Sequence, residues 1–393
     1  MGITVHIPTA LRRFSEGAES CTLEVASLEE LFVQLEQRFP RMKPHLRDSA
    51  GQIRHFLNVY VNEEDIRFLG GPNYRLKDGD EVLLVPAIAG GAPTASVVVP
   101  ATSANLGCAF DCAAIALNLY LRASATRKSS RGFEVGYRGV HKERIPPGEN
   151  NLLVRAMRHV AARAEVKLEG VRIQVENEIP IGVGLGSSAA AILAGTLLGA
   201  QLCGLELEAA IVLRRAFEME RHPDNIAAAY HGGFVVAGAT EDEIQVLAVK
   251  TEVSPDLDFV AVIPDVPLST ERARRALPGK YPSKDVVHNL QRAVLLTAGF
   301  FSGRVPSCEL FRDRLHQPYR SPLVPGIKEC LGYRHEGLVG VFLSGAGSGV
   351  MAIAQHSAAR IGKALVKEFG RQGVTAKAIL LKAENRGART PER

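Results

Sequence analysis

Strand-forming residues fill "GITVHIP" and "CTLEVA" at the start of the chain, and the next segment, "SLEELFVQLEQRF", carries its apolar residues at helical spacing. Ser27 followed by Glu30 is a capping-box pair, so a helix is predicted to begin there. Alternation of apolar residues in "HFLNVYVNEEDI" predicts a further strand, and "LKDGDEVLLVPAIAGG" a turn, a last strand and a glycine tail. Strand, strand, helix and further strands is a β-grasp order. From Val97 the pattern becomes mixed: "SVVVPATSANLGCAFDCAAIALNLYLRA" predicts a strand, a polar turn with glycine, and a helix leading into another strand. Ile181 to Leu205 runs without a charge, long enough to raise the question of a membrane span. The breaks in its "GVGLGSS" argue instead for a loop entering a buried helix.

A chain of 393 residues has room for two or three domains, and 46% hydrophobic with 23% charged residues is the balance of a soluble globular protein. The formal charge of +5 is spread along the chain, so no nucleic-acid footprint stands out, and a small anionic ligand accounts for the surplus equally well. The six cysteines (Cys21, Cys108, Cys112, Cys203, Cys308, Cys330) are scattered, which predicts reduced thiols. Cys108 and Cys112 lack a second pair or a nearby histidine and read as core thiols rather than a zinc site. The first residues show neither the basic-then-apolar order nor the cleavage pattern of a signal peptide, and the expectation is a cytoplasmic protein without membrane or nucleic-acid partners.

Two stretches carry chemistry. Gly182, Gly184 and Gly186, followed by Ser187, Ser188 and an alanine-rich run, place unpaired amides at a helix N-terminus, where an anion is held by N–H groups and the helix dipole. No lysine follows these glycines, so the loop is not a Walker phosphate loop. The second stretch is the Gly90-Gly91 pair. Glycines let a backbone thread a narrow channel without side-chain clash, as a tail presented to an activating enzyme must. Gly91 is nevertheless joined to Ala92, and a linker is the plainer use of the same residues.

Residues 1–91, in their element order, length and "LKDGDEVLLVPAIAGG" ending, resemble the ubiquitin-like sulfur carriers related to the small subunit of molybdopterin synthase. The resemblance implies an adenylating or sulfur-transfer enzyme as partner, and a free carboxylate on Gly91. That requires a protease cutting after Gly91; otherwise the module keeps the shape without the chemistry.

"PIGVGLGSSAAA" resembles the phosphate loop of the GHMP kinases. Within that family, "VPATSANLGCAFD", "MERHPDNIAAAYHGGFVVA" and the pair "LSTERARRALP" and "LHQPYRSPLVPG" look like the homoserine kinases. Cys108-Ala109, Arg221 and, in "VFLSGAGSGVMAIA", Ser348-Gly349 depart from the family pattern. This last stretch is expected as a glycine turn between strand and helix that approaches the phosphate loop. The resemblance implies ATP and Mg2+ as cofactors, L-homoserine as substrate, O-phospho-L-homoserine as product for threonine biosynthesis, and a homodimer. It assigns Pro180, Gly182, Gly184, Leu185, Gly186, Ser187 and Ser188 to the nucleotide phosphates and Asn151 to the adenine pocket. Ser188 and Glu220 become magnesium ligands. Arg274 and Arg320 clamp the substrate carboxylate, while Asn105, Asp111 and Asn225 make polar contacts around its amino and hydroxyl groups. His222 is given a positioning role, because orientation and charge stabilisation suffice for the transfer without a dedicated base.

The expected fold class is α+β: a β-grasp domain over 1–91, a linker at 92–96, a mixed α/β kinase lobe over 97–250, a ferredoxin-like lobe over 251–385, and a loose tail at 386–393. Two alternatives stand beside homoserine phosphorylation. One is a GHMP kinase for another small alcohol; the other is a precursor that releases a sulfur carrier after Gly91. The fusion also suggests a link to methionine and sulfur assimilation, a thiocarboxylated carrier donating sulfur to the phosphorylated product.

Overall fold

The computed structural model describes residues 2–12, 14–47, 57–62, 64–66, 69, 74–86 and 94–390. The chain divides into two compact units, Met1–Pro93 and Thr94–Arg393. The first contains β1 (Gly2–His6), α1 (Thr9–Arg12), β2 (Ser20–Glu24), α2 (Leu28–Arg38), α3 (Lys43–Leu46), β3 (Leu57–Val61), β4 (Glu64–Asp65) and β5 (Glu81–Pro86). Its sheet runs β2-β1-β5-β3-β4, with β1 and β5 parallel and the other pairs antiparallel, which is the β-grasp arrangement. Inward positions of β1, β2 and β5 (Ile3, Val5, Leu23, Val82, Leu84) share one core with Leu28, Leu31, Phe32 and Leu35 of α2. The Ser27 hydroxyl accepts from the Glu30 N–H at 3.2 Å, while the Glu30 carboxylate accepts from Ala26 N–H at 2.9 Å, so the reciprocal cap closes one residue early. Gly90, Gly91 and Ala92 lie outside the described residues.

The second unit begins with β6 (Thr94–Ala104), β7 (Ala113–Arg127), β8 (Phe133–Gly139), α4 (Leu152–Arg163), β9 (Val171–Asn177), α5 (Ser187–Leu202), α6 (Ala209–Phe217), α7 (Pro223–His231), β10 (Phe234–Ala239) and β11 (Val246–Thr251). Its mixed sheet has the order β11-β10-β7-β9-β8, with β6 paired along β7. Three sequence expectations change here. Thr94–Ser96, read as linker, already pair with Ser124–Thr126 in the sheet. No helix lies between β6 and β7: residues 105–112 turn directly from one strand into the other, with Asn105, Leu106, Gly107 and Asp111 at φ of 76, 41, 75 and 54°. The alanine-rich start of β7 is wholly buried, and such a strand loses the alternation that would announce it. Of the Cys108/Cys112 pair, only Cys108 is a core thiol, pushed up to about 12 by burial; Cys112 is exposed.

The uncharged run forms α5 as expected, a helix apolar on all sides and packed on α4, α6, α7 and β6. A side chain at Gly195 would put its Cβ 2.3 Å from the Leu153 carbonyl, which is how closely α4 and α5 approach. Among the described residues no helix is long and apolar enough to cross a membrane.

The remainder comprises β12 (Asp258–Pro264), α8 (Thr270–Arg275), α9 (Ser283–Phe301), α10 (Gln317–Arg320), α11 (Ile327–Gly332), β13 (Leu338–Leu343), β14 (Val350–Ala354), α12 (Ala358–Arg371) and β15 (Ala376–Leu381). Its antiparallel sheet, ordered β13-β14-β12-β15, is ferredoxin-like with extra helices after the first strand. The glycine turn of "VFLSGAGSGVMAIA" therefore joins two strands rather than a strand and a helix. The segment after β15, expected to be loose from 386, returns to the first lobe. Glu384 N–H donates to Ala116 O at 2.9 Å, and Arg389 exchanges two backbone hydrogen bonds with Val98 at 2.8 and 3.0 Å.

Candidate active site

A cavity of about 470 Å3 in the second unit is walled by the glycine loop, the α5 N-terminus and elements of both lobes. Gly186 caps α5 with φ 68° and without a side-chain hydrogen bond, so the first amides of the helix have no partner within it. Gly184 is at φ 80°, and a Cβ there would fall 1.8 Å from the Ser344 carbonyl oxygen. Only glycine fits that crossing of the loop and the β13–β14 turn. The Ser344 hydroxyl donates to Gly184 O at 2.7 Å, and Gly349 N–H to Val183 O at 3.1 Å.

Ser188 on the first turn of α5 hydrogen-bonds the Glu220 carboxylate, which also accepts from His222 Nδ1 at 2.5 Å. Burial would raise the Glu220 carboxyl, but the His222 and Ser188 hydrogen bonds and the Arg274 charge outweigh it and hold it below the usual range. The bond to Glu220 raises His222 against burial and against Arg274. At the start of α7, Asp224 is fully buried; burial, reinforced by the Asp111 charge, pushes its carboxyl up to about 6. The Asp224 carboxylate accepts from the Asn225 backbone N–H at 2.6 Å and from Asn225 Nδ2 at 3.1 Å, and Asn225 Oδ1 accepts from the Thr102 hydroxyl at 2.7 Å.

The basic wall comes from α8 and α10. Arg274 grips both Asp111 carboxylate oxygens at 2.9 and 3.1 Å. Arg320, only 1% exposed, donates to Ala273 O and Gly345 O at 3.3 Å each and lies 5.0 Å from the Phe110 ring centroid. Among the described residues it has no carboxylate partner, and burial lowers its affinity for its proton. Asn105 donates to Gly345 O at 2.7 Å and accepts from the Asp111 backbone N–H at 2.9 Å, which sets the turn presenting Asp111.

The cavity lining brings together Asn105, Asp111, Asn151, Gly182, Gly184, Leu185, Gly186, Ser187, Ser188, Glu220, His222, Asn225, Arg274 and Arg320. Pro180 is buried and does not line it. Asn151 also caps α4, its side chain accepting from Leu153 N–H at 3.0 Å. Sequence reasoning passed over Asp224, which lines the cavity, and Thr102, which does not but bonds to Asn225. Both lie inside the quoted motifs, yet a carboxylate and a hydroxyl that meet only in space leave no spacing to read.

A profile of the GHMP kinases N terminal domain matches residues 151–233, and one of the ThiS family matches residues 5–91. The chain is 37% identical over 297 residues to a homoserine kinase of Halothermothrix orenii, covering 74% of this chain and 94% of that one. It is 40% identical over 258 residues to a homoserine kinase of Deinococcus radiodurans, covering 65% and 83% respectively. A solved homoserine kinase from Cytophaga hutchinsonii superposes with a TM-score of 0.68 at 26% identity, over 76% of this chain and 98% of that one. The mevalonate kinase of Methanococcus jannaschii, at 15% identity and a TM-score of 0.53 over 75% and 99%, shares the fold. Fold and site together are those of an ATP-using phosphotransferase of the GHMP kinase class. The chain belongs to the homoserine kinase family, with a ThiS-family domain at its N-terminus.

Proposed function

We propose that this chain transfers the γ-phosphoryl group of ATP to the hydroxyl of L-homoserine, giving ADP and O-phospho-L-homoserine. The observation that carries the reading is Arg320: a guanidinium buried in the cavity wall with no carboxylate partner among the described residues, beside an Arg274–Asp111 pair. Homoserine is a zwitterion. Its carboxylate suits the two planar guanidinium forks, and its ammonium suits Asp111, so binding replaces one ion pair by matched ones. Asn105 orients Asp111, and the Asn225 amide meets the acceptor hydroxyl. On the nucleotide side the unpaired amides at the α5 N-terminus hold the phosphates and Asn151 sits against the adenine. The Ser188 hydroxyl and the ionised Glu220 carboxylate are a hard oxygen donor set, fitting magnesium completed by phosphate oxygens. Bound there, magnesium would neutralise charge on the phosphates. His222 holds Glu220 in place and is not needed as a base.

A substrate panel tests this. L-Homoserine should exceed mevalonate and galactose by at least ~100-fold in kcat/KM, because an acceptor without the zwitterion leaves buried charges unpaired. L-Serine and L-threonine carry the zwitterion but hold the hydroxyl one carbon nearer to it, and should fall behind L-homoserine because that hydroxyl is misplaced for transfer. A higher kcat/KM for an uncharged alcohol would sink the assignment.

The ThiS match over 5–91 favours a second reading for the first unit. We propose that it is a sulfur carrier made as a precursor, whose Gly91 carboxylate is freed by proteolysis before an adenylating enzyme acts on it. Intact mass of the untagged protein from its native cells decides. Two species split after Gly91 are expected; a single full-length species would leave the unit as an appendage of the kinase.

A further inference from the structure

Thr102 lies on β6, fully buried, and does not line the cavity, yet it touches both halves of the site. Its backbone N–H donates to Leu185 O of the glycine loop at 3.2 Å, and its hydroxyl donates to Asn225 Oδ1 at 2.7 Å. A Cβ at Gly186 would fall 1.9 Å from the Thr102 oxygen, so the loop rests directly on this side chain. On its other side the Asn225 amide is held through Nδ2 by Asp224 Oδ1 at 3.1 Å. A carboxylate only accepts, which places Nδ2 towards Asp224 and Oδ1 towards Thr102 and leaves the second N–H of the amide for a ligand.

We infer that Thr102 is a positioning residue that links the phosphate loop to the acceptor amide, setting the separation of donor and acceptor and fixing which face of the Asn225 amide meets the hydroxyl. The inference rests on the assignment of Asn225 to the acceptor hydroxyl. Without the Thr102 hydroxyl, Oδ1 loses this half-buried bond and the amide is free to turn over. Nucleotide and acceptor would still bind, but their reacting atoms would meet in line less often, and a small misplacement costs rate rather than affinity.

Thr102→Val keeps the shape and the backbone N–H while removing the hydroxyl; Thr102→Ser keeps the hydroxyl. Thr102→Val is expected to lower kcat about 10- to 100-fold, with both KM values within about threefold, and to release more ADP per phosphorylated product. Thr102→Ser should recover most of the rate. In an Asn225→Ala background Thr102→Val should cost less than about twofold, because its partner is already gone. Unchanged kcat in Thr102→Val, equal losses in the valine and serine variants, or additive losses in the double variant would each overturn the inference. A joint rise of both KM values with a lowered thermal midpoint would overturn it too, as the mark of a merely structural role. The wild-type panel is measured separately, so a failure of the homoserine assignment is told apart from a failure of this linkage.

Discussion

Arg320→Met is expected to raise the KM for L-homoserine at least ~30-fold while leaving the KM for ATP within about twofold. The guanidinium is buried, faces two carbonyls and an aromatic ring, and has no acid of its own among the described residues. A charge in that state is expensive to keep, and in the proposed function the substrate carboxylate would offset it. Charge-assisted, planar hydrogen bonds lost on one side of a buried pair cost about 2–5 kcal/mol, or roughly 30- to 4000-fold. Methionine fills most of the volume without a charge, so the fold should survive the change. Arg320→Lys, which lacks the fork, should recover only part of the affinity. Steady-state kinetics with each substrate varied in turn gives the split, and an unchanged homoserine KM would remove Arg320 from the substrate site.

Asp224→Asn should change the pH dependence of stability and lower the rate. The folded-state pKa of about 6 lies above the ordinary value of 3.8, so between those values the native state binds a proton that the unfolded state has lost. Stability from this group is therefore highest at low pH, falls as pH rises from about 4 to about 6, and stays lower above it. Two pKa units correspond to about 3 kcal/mol at 1.36 kcal/mol each. The amide that replaces the carboxyl cannot titrate, so the difference in unfolding free energy between variant and wild type should grow in the variant's favour by that order across the window. Titrating groups away from Asp224 cancel in the comparison; Asp111 and His222, whose charges act on Asp224, do not. Denaturant unfolding at several pH values reads it, and parallel curves for the two proteins would refute the account. The same variant should lose about tenfold in kcat, because the Asn225 amide no longer faces a charged acceptor. A residue that costs stability at working pH and supports the rate is the familiar stability–function trade-off.

The β-grasp order was legible because its strands are covered on one face and α2 has a readable cap. The second unit was harder wherever both faces are covered. The start of β7, rich in alanine and wholly buried, has a pattern that fits helix and strand equally, and helix was the expectation. The turn at 344–349 lies between two short apolar runs, "VFL" and "VMAIA", which are too brief to distinguish a hairpin from a strand entering a helix. The anion-binding loop stood out because three glycines and two serines abut an uncharged helix. Arg274 and Arg320 did not stand out physically: each sits among other basic or loop residues, and only resemblance singled them out. Burial of Arg320 at 1% exposure arises from packing of α10 against residues more than forty positions away, such as Ala273, which no local pattern encodes. Thr102 and Asp224 were missed for the same reason, since their importance lies in bonds to an amide rather than in spacing.

The return of the chain after β15 has a topological consequence. Arg389 pairs with Val98, and the Gln201 side chain reaches Ser96 N–H at 3.1 Å and the Thr390 hydroxyl at 3.4 Å. Entry to and exit from the kinase unit are thus neighbours, the condition under which circular permutation is tolerated. A module attached at either end of this unit would hang from nearly the same place. Gene order then becomes a chemical choice: with the ThiS-family domain first, Gly91 is locked in an amide, whereas the same two units joined in reverse would expose a diglycine carboxylate without any cut.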